Sequence, residues 1–182
     1  MKIFTAALIG LTLLAVVQAT VQAAVPATDY AAQAAIRPGD LRPLPPIRWQ
    51  DADDHTHSLA DTQGRARILH FWAAWCVPCR RELPALLRWQ TAHPEIEIVV
   101  LSVDRRLAQA RHFLHKYRLP LPPLLLHPDD HALLSLPALP YTLFLSRDGL
   151  VLGYQLGPAP WETEAFTRAV QTLLETDPGQ QR

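Results

Sequence analysis

The stretch Phe71–Pro84, FWAAWCVPCRRELP, contains both cysteines of the 182-residue chain, separated by Val77-Pro78 and flanked by Trp75 and the pair Arg80-Arg81. Two cysteines this close make a poor structural staple, because so short a loop removes little entropy from the unfolded chain. Their value must be chemical. Arg67–Trp72, RILHFW, precedes them as a compact apolar strand, and Val77 to about His93 reads as a helix with Leu83, Leu86 and Leu87 at helical spacing. Cys76 then falls at a helix N-terminus, where unpaired N–H groups and about half a positive charge stabilise a thiolate. It is the expected attacking sulfur. Cys79, one turn into the helix, is expected to be more buried, with the higher pKa that suits a resolving thiol. Pro78 is tolerated in a first turn whose N–H groups have no helical partners.

Outward from this segment, IEIVVLSV (Ile96–Val103) reads as a second buried strand, followed by a helix carrying Leu107, Ala110, Leu114 and Tyr117. YTLFLSRDGLVLGYQLG gives two apolar runs around Arg147-Asp148-Gly149, a hairpin signal. Phe166, Val170, Leu173 and Leu174 stripe a last helix that begins after Pro160. Upstream, Ile47 onward carries short apolar patches between turn-forming acids, an edge strand or hairpin extension. The order β, α, β, α, β, β, α implies an α/β fold, a central mixed β-sheet flanked by helices.

The ends read differently. Lys2, the apolar run Ile3–Val17 and Val21-Gln22-Ala23 form a signal-peptide pattern, so residues 1–23 are expected to be removed on export, after Ala23. An N-terminal membrane anchor is the competing reading, weakened by Gln18, Thr20 and Gln22, which interrupt the roughly 20 apolar residues a span needs. Residues 24–46 are Ala- and Pro-rich and read as a spacer, 47–176 as one domain and 177–182 as a flexible tail. The chain has 17 basic and 17 acidic residues, a balance that points to no nucleic-acid or anionic-lipid partner. A monomer is expected.

The residues around the cysteines resemble the active-site segment of exported TlpA/ResA-type thiol-disulfide oxidoreductases, which have the thioredoxin fold. The likeness rests on Trp72, Trp75, Cys76-Val77-Pro78-Cys79, Glu82 and Pro84, the last expected to kink its helix. It extends from about Ile47 to Leu174. LPYTLFLSRDG resembles the segment that carries the family's cis-proline, which assigns that role to Pro140. The resemblance implies a substrate surface of Trp75, Val77, Pro78, Leu139, Pro140 and Tyr141, with the Leu139 backbone open to pair with a substrate strand. Tyr141 stands where the family usually has a small residue or threonine. It also implies that Glu82 assists proton transfer, that no cofactor is needed beyond a redox-active Cys76–Cys79 disulfide, and that a membrane thiol-electron transporter resupplies electrons for protein disulfide substrates.

His70 lies on the strand under the active site, where thioredoxins have an aspartate and TlpA-like proteins often an asparagine. Its ordinary pKa near 6.5 suits it to proton transfer, and a hydrogen-bonded pair with Glu82 is the expectation, against the plainer alternative that His70 bonds a backbone carbonyl and Glu82 faces water. Val77-Pro78 resembles the reducing members of the family, so a disulfide reductase is the reading. An oxidase or isomerase of the same fold is one alternative. A non-catalytic Cu(I) protein using the two thiolates is another. No metal site is expected: His55 and His57, in an acidic turn with Asp53 and Asp54, read as a solvated loop, as do His112 and His115 on one helix face.

Overall fold

A computed structural model describes residues 36–62 and 64–175. The expected leader, residues 24–35 of the spacer, and the tail lie outside the described residues. Eight strands form one mixed sheet in the order β1-β8-β7-β4-β5-β6-β2-β3. The strands are β1 (Arg37–Pro38), β2 (Arg48–Gln50), β3 (Thr56–Ser58), β4 (Arg67–Trp72), β5 (Glu97–Ser102), β6 (Leu124–Leu126), β7 (Tyr141–Leu145) and β8 (Val151–Leu156). Helices α1 (Val77–Ala92), α2 (Leu107–Lys116), α3 (His131–Leu134) and α4 (Glu164–Glu175) complete it. This is the thioredoxin-like arrangement expected from the sequence.

β4 lies at the centre, parallel to β5 and antiparallel to β7, and all six of its residues are buried. Alternation along it sends Ile68 and Trp72 to one face and Leu69 and Phe71 to the other. The first face is covered by Leu83 and Leu86 of α1, Phe113 of α2, and Phe166 and Val170 of α4. Trp72, fully buried, packs 5.3 Å from the Phe113 ring, so it is a core residue. The opposite face is closed by Ile47, Trp49 and Leu59, with Leu134 and Leu136 packed against them.

Two features differ from the sequence reading. Residues 36–46 are not a spacer where they are described. Ile36 is buried, β1 pairs with β8, and Gly39 and Leu41 donate backbone hydrogen bonds to the carbonyls of Leu152 and Val151. Proline-rich sequence hides this because the pairing depends on backbone groups and not on side-chain period. Gly39 is required for it: a Cβ there would stand 2.0 Å from the Val151 carbonyl oxygen. The second difference is the segment β6–α3, which the proline-laden LPLPPLLLHPDD conceals. β6 pairs parallel to β5 and antiparallel to β2, and so ties the β2–β3 hairpin extension to the sheet.

Candidate active site

β4 ends at Trp72, and the turn that follows is set by its neighbours. The Ala74 N–H donates to Asp104 Oδ2 at 2.9 Å, and the Cys76 N–H donates to the Ala73 carbonyl at 3.1 Å. Asp104, only 2 % exposed, is itself fixed by the Ser102 hydroxyl, which donates to Oδ2 at 2.8 Å. Asp104 is a positioning residue the sequence reading missed; its signal is an acid placed directly after a buried strand.

Cys76 is the N-cap of α1, as expected, and its Sγ accepts from the Cys79 N–H at 3.2 Å. The two sulfurs are joined in a disulfide, with Cα atoms 5.3 Å apart. Cys79 is fully buried, whereas Cys76 opens on a groove. That groove, about 900 Å³, is walled by Trp75, Val77 and Pro78 on one side and by Val103, His131 and Leu139 on another. Trp75 is 65 % exposed, a large indole held in solvent on the same groove as Cys76.

The Leu139–Pro140 peptide is cis. Leu139 lines the groove, and its backbone has no hydrogen-bond partner among the described residues, which leaves it open to an added strand. Pro140 is buried behind it. Tyr141 does not belong to this surface. Strand alternation turns it to the opposite face, where it packs against the rings of Phe71 and Tyr154 at 6.5 and 5.9 Å. Burial raises its pKa above the ordinary tyrosine value. The far wall of the groove, including His131, comes from α3 and was not legible in the sequence.

His70 and Glu82 are both buried and both face the helix-covered side, but they do not hydrogen-bond to each other. His70 Nδ1 lies 3.0 Å from Thr142 Oγ1, its opposite number on β7, and Nε2 has no hydrogen-bond partner among the described residues. Burial pushes its pKa down to about 3, so the ring is neutral at ordinary pH. Glu82 Oε1 accepts from the Ala159 N–H at 2.9 Å and from Trp161 Nε1–H at 2.5 Å. Its Oε2 is buried without a partner among the described residues. Desolvation pushes the pKa up to about 7, against the opposing pull of those two donors. Trp161 therefore stands where the pair was expected, with its ring 6.1 Å from that of His70 and its N–H on Glu82.

At the sheet edge, Asp51 Oδ2 lies 2.8 Å from His57 Nε2 and 3.4 Å from His55 Nδ1, in the turn between β2 and β3. These contacts hold Asp51 well below the usual carboxylate range.

The comparisons agree with this geometry. Thioredoxin-like protein YneN of Bacillus subtilis (strain 168) is 32% identical over 104 residues, 55% of this chain and 61% of that protein. Thiol-disulfide oxidoreductase ResA of Oceanobacillus iheyensis is 30% identical over 103 residues, 55% of this chain and 54% of that protein. The chain thus matches less than two thirds of the length of either relative. In fold, it is similar to the thioredoxin domain of a thiol-disulfide oxidoreductase from Bacteroides vulgatus, with a TM-score of 0.61, 21% identity, and coverage of 74% of this chain and 96% of that one. Residues 41–151, which include both cysteines and the cis-proline, match the AhpC/TSA family over more than half of the chain, and the chain belongs to that family.

Proposed function

We propose that this chain is an exported thiol-disulfide oxidoreductase that reduces protein disulfides. The observation that carries this reading is the Cys76–Cys79 disulfide at a helix N-terminus, with one sulfur on a groove and the other sealed beneath it. The relatives named as thiol-disulfide oxidoreductases support it.

In the reduced protein, the Cys76 thiolate attacks one sulfur of a substrate disulfide, and the second substrate sulfur leaves as a thiolate. A mixed disulfide remains. Cys79 then loses its proton and attacks Cys76 Sγ, which re-forms the intramolecular disulfide and releases the first substrate sulfur. Two electrons have passed from the protein dithiol to the substrate. The proton from Cys79 goes to Glu82, three residues further along the helix and on the same face, whose carboxyl titrates at about 7. Oε2, free of hydrogen bonds among the described residues, is the atom to receive it. His70, held neutral by burial, acts through Thr142 on the strand that follows Pro140.

The substrate strand pairs with the open Leu139 backbone, while Trp75, Val77 and Pro78 contact its side chains. The protein acts as a monomer and needs no cofactor beyond its own disulfide. A membrane thiol-electron transporter returns it to the dithiol state. Residues 1–23 direct export; among the described residues, no helix is long and apolar enough to cross a membrane.

The reduction potential of the Cys76/Cys79 couple tests the direction. Equilibration with glutathione or dithiothreitol buffers is expected to place it nearer the about −270 mV of thioredoxin than the about −120 mV of strong oxidants. A potential above about −150 mV would overturn the reductase reading.

A further inference from the structure

The charge of this chain is balanced overall but not around its disulfide. From Arg105 to Arg118 there are five arginines and lysines, two histidines and no acid. Arg80 and Arg81 add two more cations from the first turns of α1. Elsewhere on the surface, four arginines meet a carboxylate, Arg42 with Asp40, Arg48 with Asp130, Arg88 with Glu162 and Arg168 with Glu164, whereas among the described residues the scattered Arg37 and Arg65 meet none. Among the described residues, Arg80, Arg81, Arg105, Arg106, Lys116 and Arg118 pair with no carboxylate.

The placement of this charge is specific. The Arg80 guanidinium lies 5.5 Å from the centroids of both the Phe113 and Tyr117 rings and donates to the Tyr117 hydroxyl at 2.8 Å. That aromatic clamp fixes a cation which would otherwise sample many rotamers, so little freedom is left to lose on binding. Arg80, His112 and Lys116 surround a cavity of about 340 Å³ whose rim includes Trp75. Trp75 also lines the disulfide groove. Asp104 is the one acid lining the cavity; it is 2 % exposed, its Oδ2 accepts from the Ala74 N–H and the Ser102 hydroxyl, and its Oδ1 has no partner among the described residues, so the cations Arg80 and Lys116 outnumber it at the surface.

We propose that this face of α1 and α2 is the docking surface for an acidic protein partner, one that carries carboxylates close to its own reactive cysteines. The inference rests on the reading of Cys76 and Cys79 as exchanging thiols with proteins. Uncompensated cations beside a reactive group steer oppositely charged partners to it and raise the association rate, more than they raise affinity. A protein is favoured over a membrane because Trp75 is shared: a bilayer lying on the basic face would cover the mouth of the groove through which the disulfide is reached.

The test uses the full chain in its reduced form and two synthetic disulfide-bridged peptides, identical except for four glutamates or four lysines around the bridge. Exchange is followed by stopped-flow fluorescence. At about 20 mM salt, the glutamate peptide is expected to react at least about tenfold faster than the lysine peptide. At about 1 M salt, where charges are screened beyond about 3 Å, the two rates should converge to within about twofold. Arg81→Glu/Lys116→Glu, both exposed positions, should reverse the low-salt preference. Equal rates at low salt, or a faster lysine peptide, would overturn the proposal. Cosedimentation with anionic phosphatidylglycerol vesicles without peptide discrimination would assign the patch to lipid and likewise overturn it. Exchange with neither peptide would instead overturn the thiol-exchange reading itself, and this inference with it.

Discussion

Cys76→Ser is expected to reduce disulfide-exchange activity to the uncatalysed background, whereas Cys79→Ser is expected to leave a protein that attacks once and remains covalently attached to its substrate. The two cysteines differ because of where α1 begins. Cys76 caps the helix, its sulfur takes the Cys79 N–H, and it faces the groove. Cys79 is fully buried in the core cluster that also holds Leu83, so it acts on Cys76 Sγ and not on the partner protein directly. Mass spectrometry of Cys79→Ser after incubation with a disulfide-bridged protein should show a trapped adduct on Cys76. Iodoacetamide applied to the reduced wild-type protein at neutral pH should label Cys76 first. Faster labelling of Cys79 would reverse the assigned roles.

The second large effect concerns pH and stability, and it comes from two buried groups displaced in opposite directions. Glu82 titrates at about 7 in the fold, against an ordinary value of 4.5. Its favourable contribution is fully present below about 4.5 and is lost as pH rises through 7, roughly 3 kcal/mol in all. His70 titrates at about 3 in the fold, against 6.5. Its contribution is present above about 6.5 and is lost as pH falls toward 3, roughly 5 kcal/mol in all. Between about 4.5 and 6.5 the two slopes, each about 1.4 kcal/mol per pH unit, oppose one another.

The contribution of these two residues to the stability of the wild-type protein should therefore be level across that interval in urea titrations. Glu82→Gln keeps a carbonyl oxygen for Ala159 and Trp161, and it should expose the histidine slope, so that stability climbs from pH 4.5 to 6.5. His70→Asn should expose the opposite slope. It also costs stability through lost buried volume, but that offset is independent of pH and leaves the slope readable. Superimposable pH profiles for the wild type and both variants would sink the assignment.

How much of this was legible in the sequence depends on the range of the interactions involved. β4 matches its expected boundaries, and α1 nearly so, because burial of the central strand and the spacing of Leu83 and Leu86 are local patterns. The position of Cys76 at the helix start followed from the same local order. The cis peptide at Pro140 was reached by resemblance and not by composition. β1 was misread as spacer because its partner is the backbone of β8, more than a hundred positions away. The expected His70–Glu82 pair failed for a related reason. Both side chains do face the same side, but the donor that takes Glu82 is Trp161, 79 positions along the chain, and no periodicity in α1 points to it.

That bond between Glu82 and Trp161 makes the molecule its own indicator dye. The indole N–H rests directly on the carboxylate oxygen, and the ring is packed within 5.3 Å of Trp89 and 5.0 Å of Phe166, measured between centroids. A negative charge appearing or vanishing at the edge of a held chromophore changes the energy of its excited state relative to its ground state. Each proton taken up by Glu82 is accordingly expected to register in the ultraviolet spectrum of Trp161, so the titration of this one buried carboxyl can be followed in light without an added label.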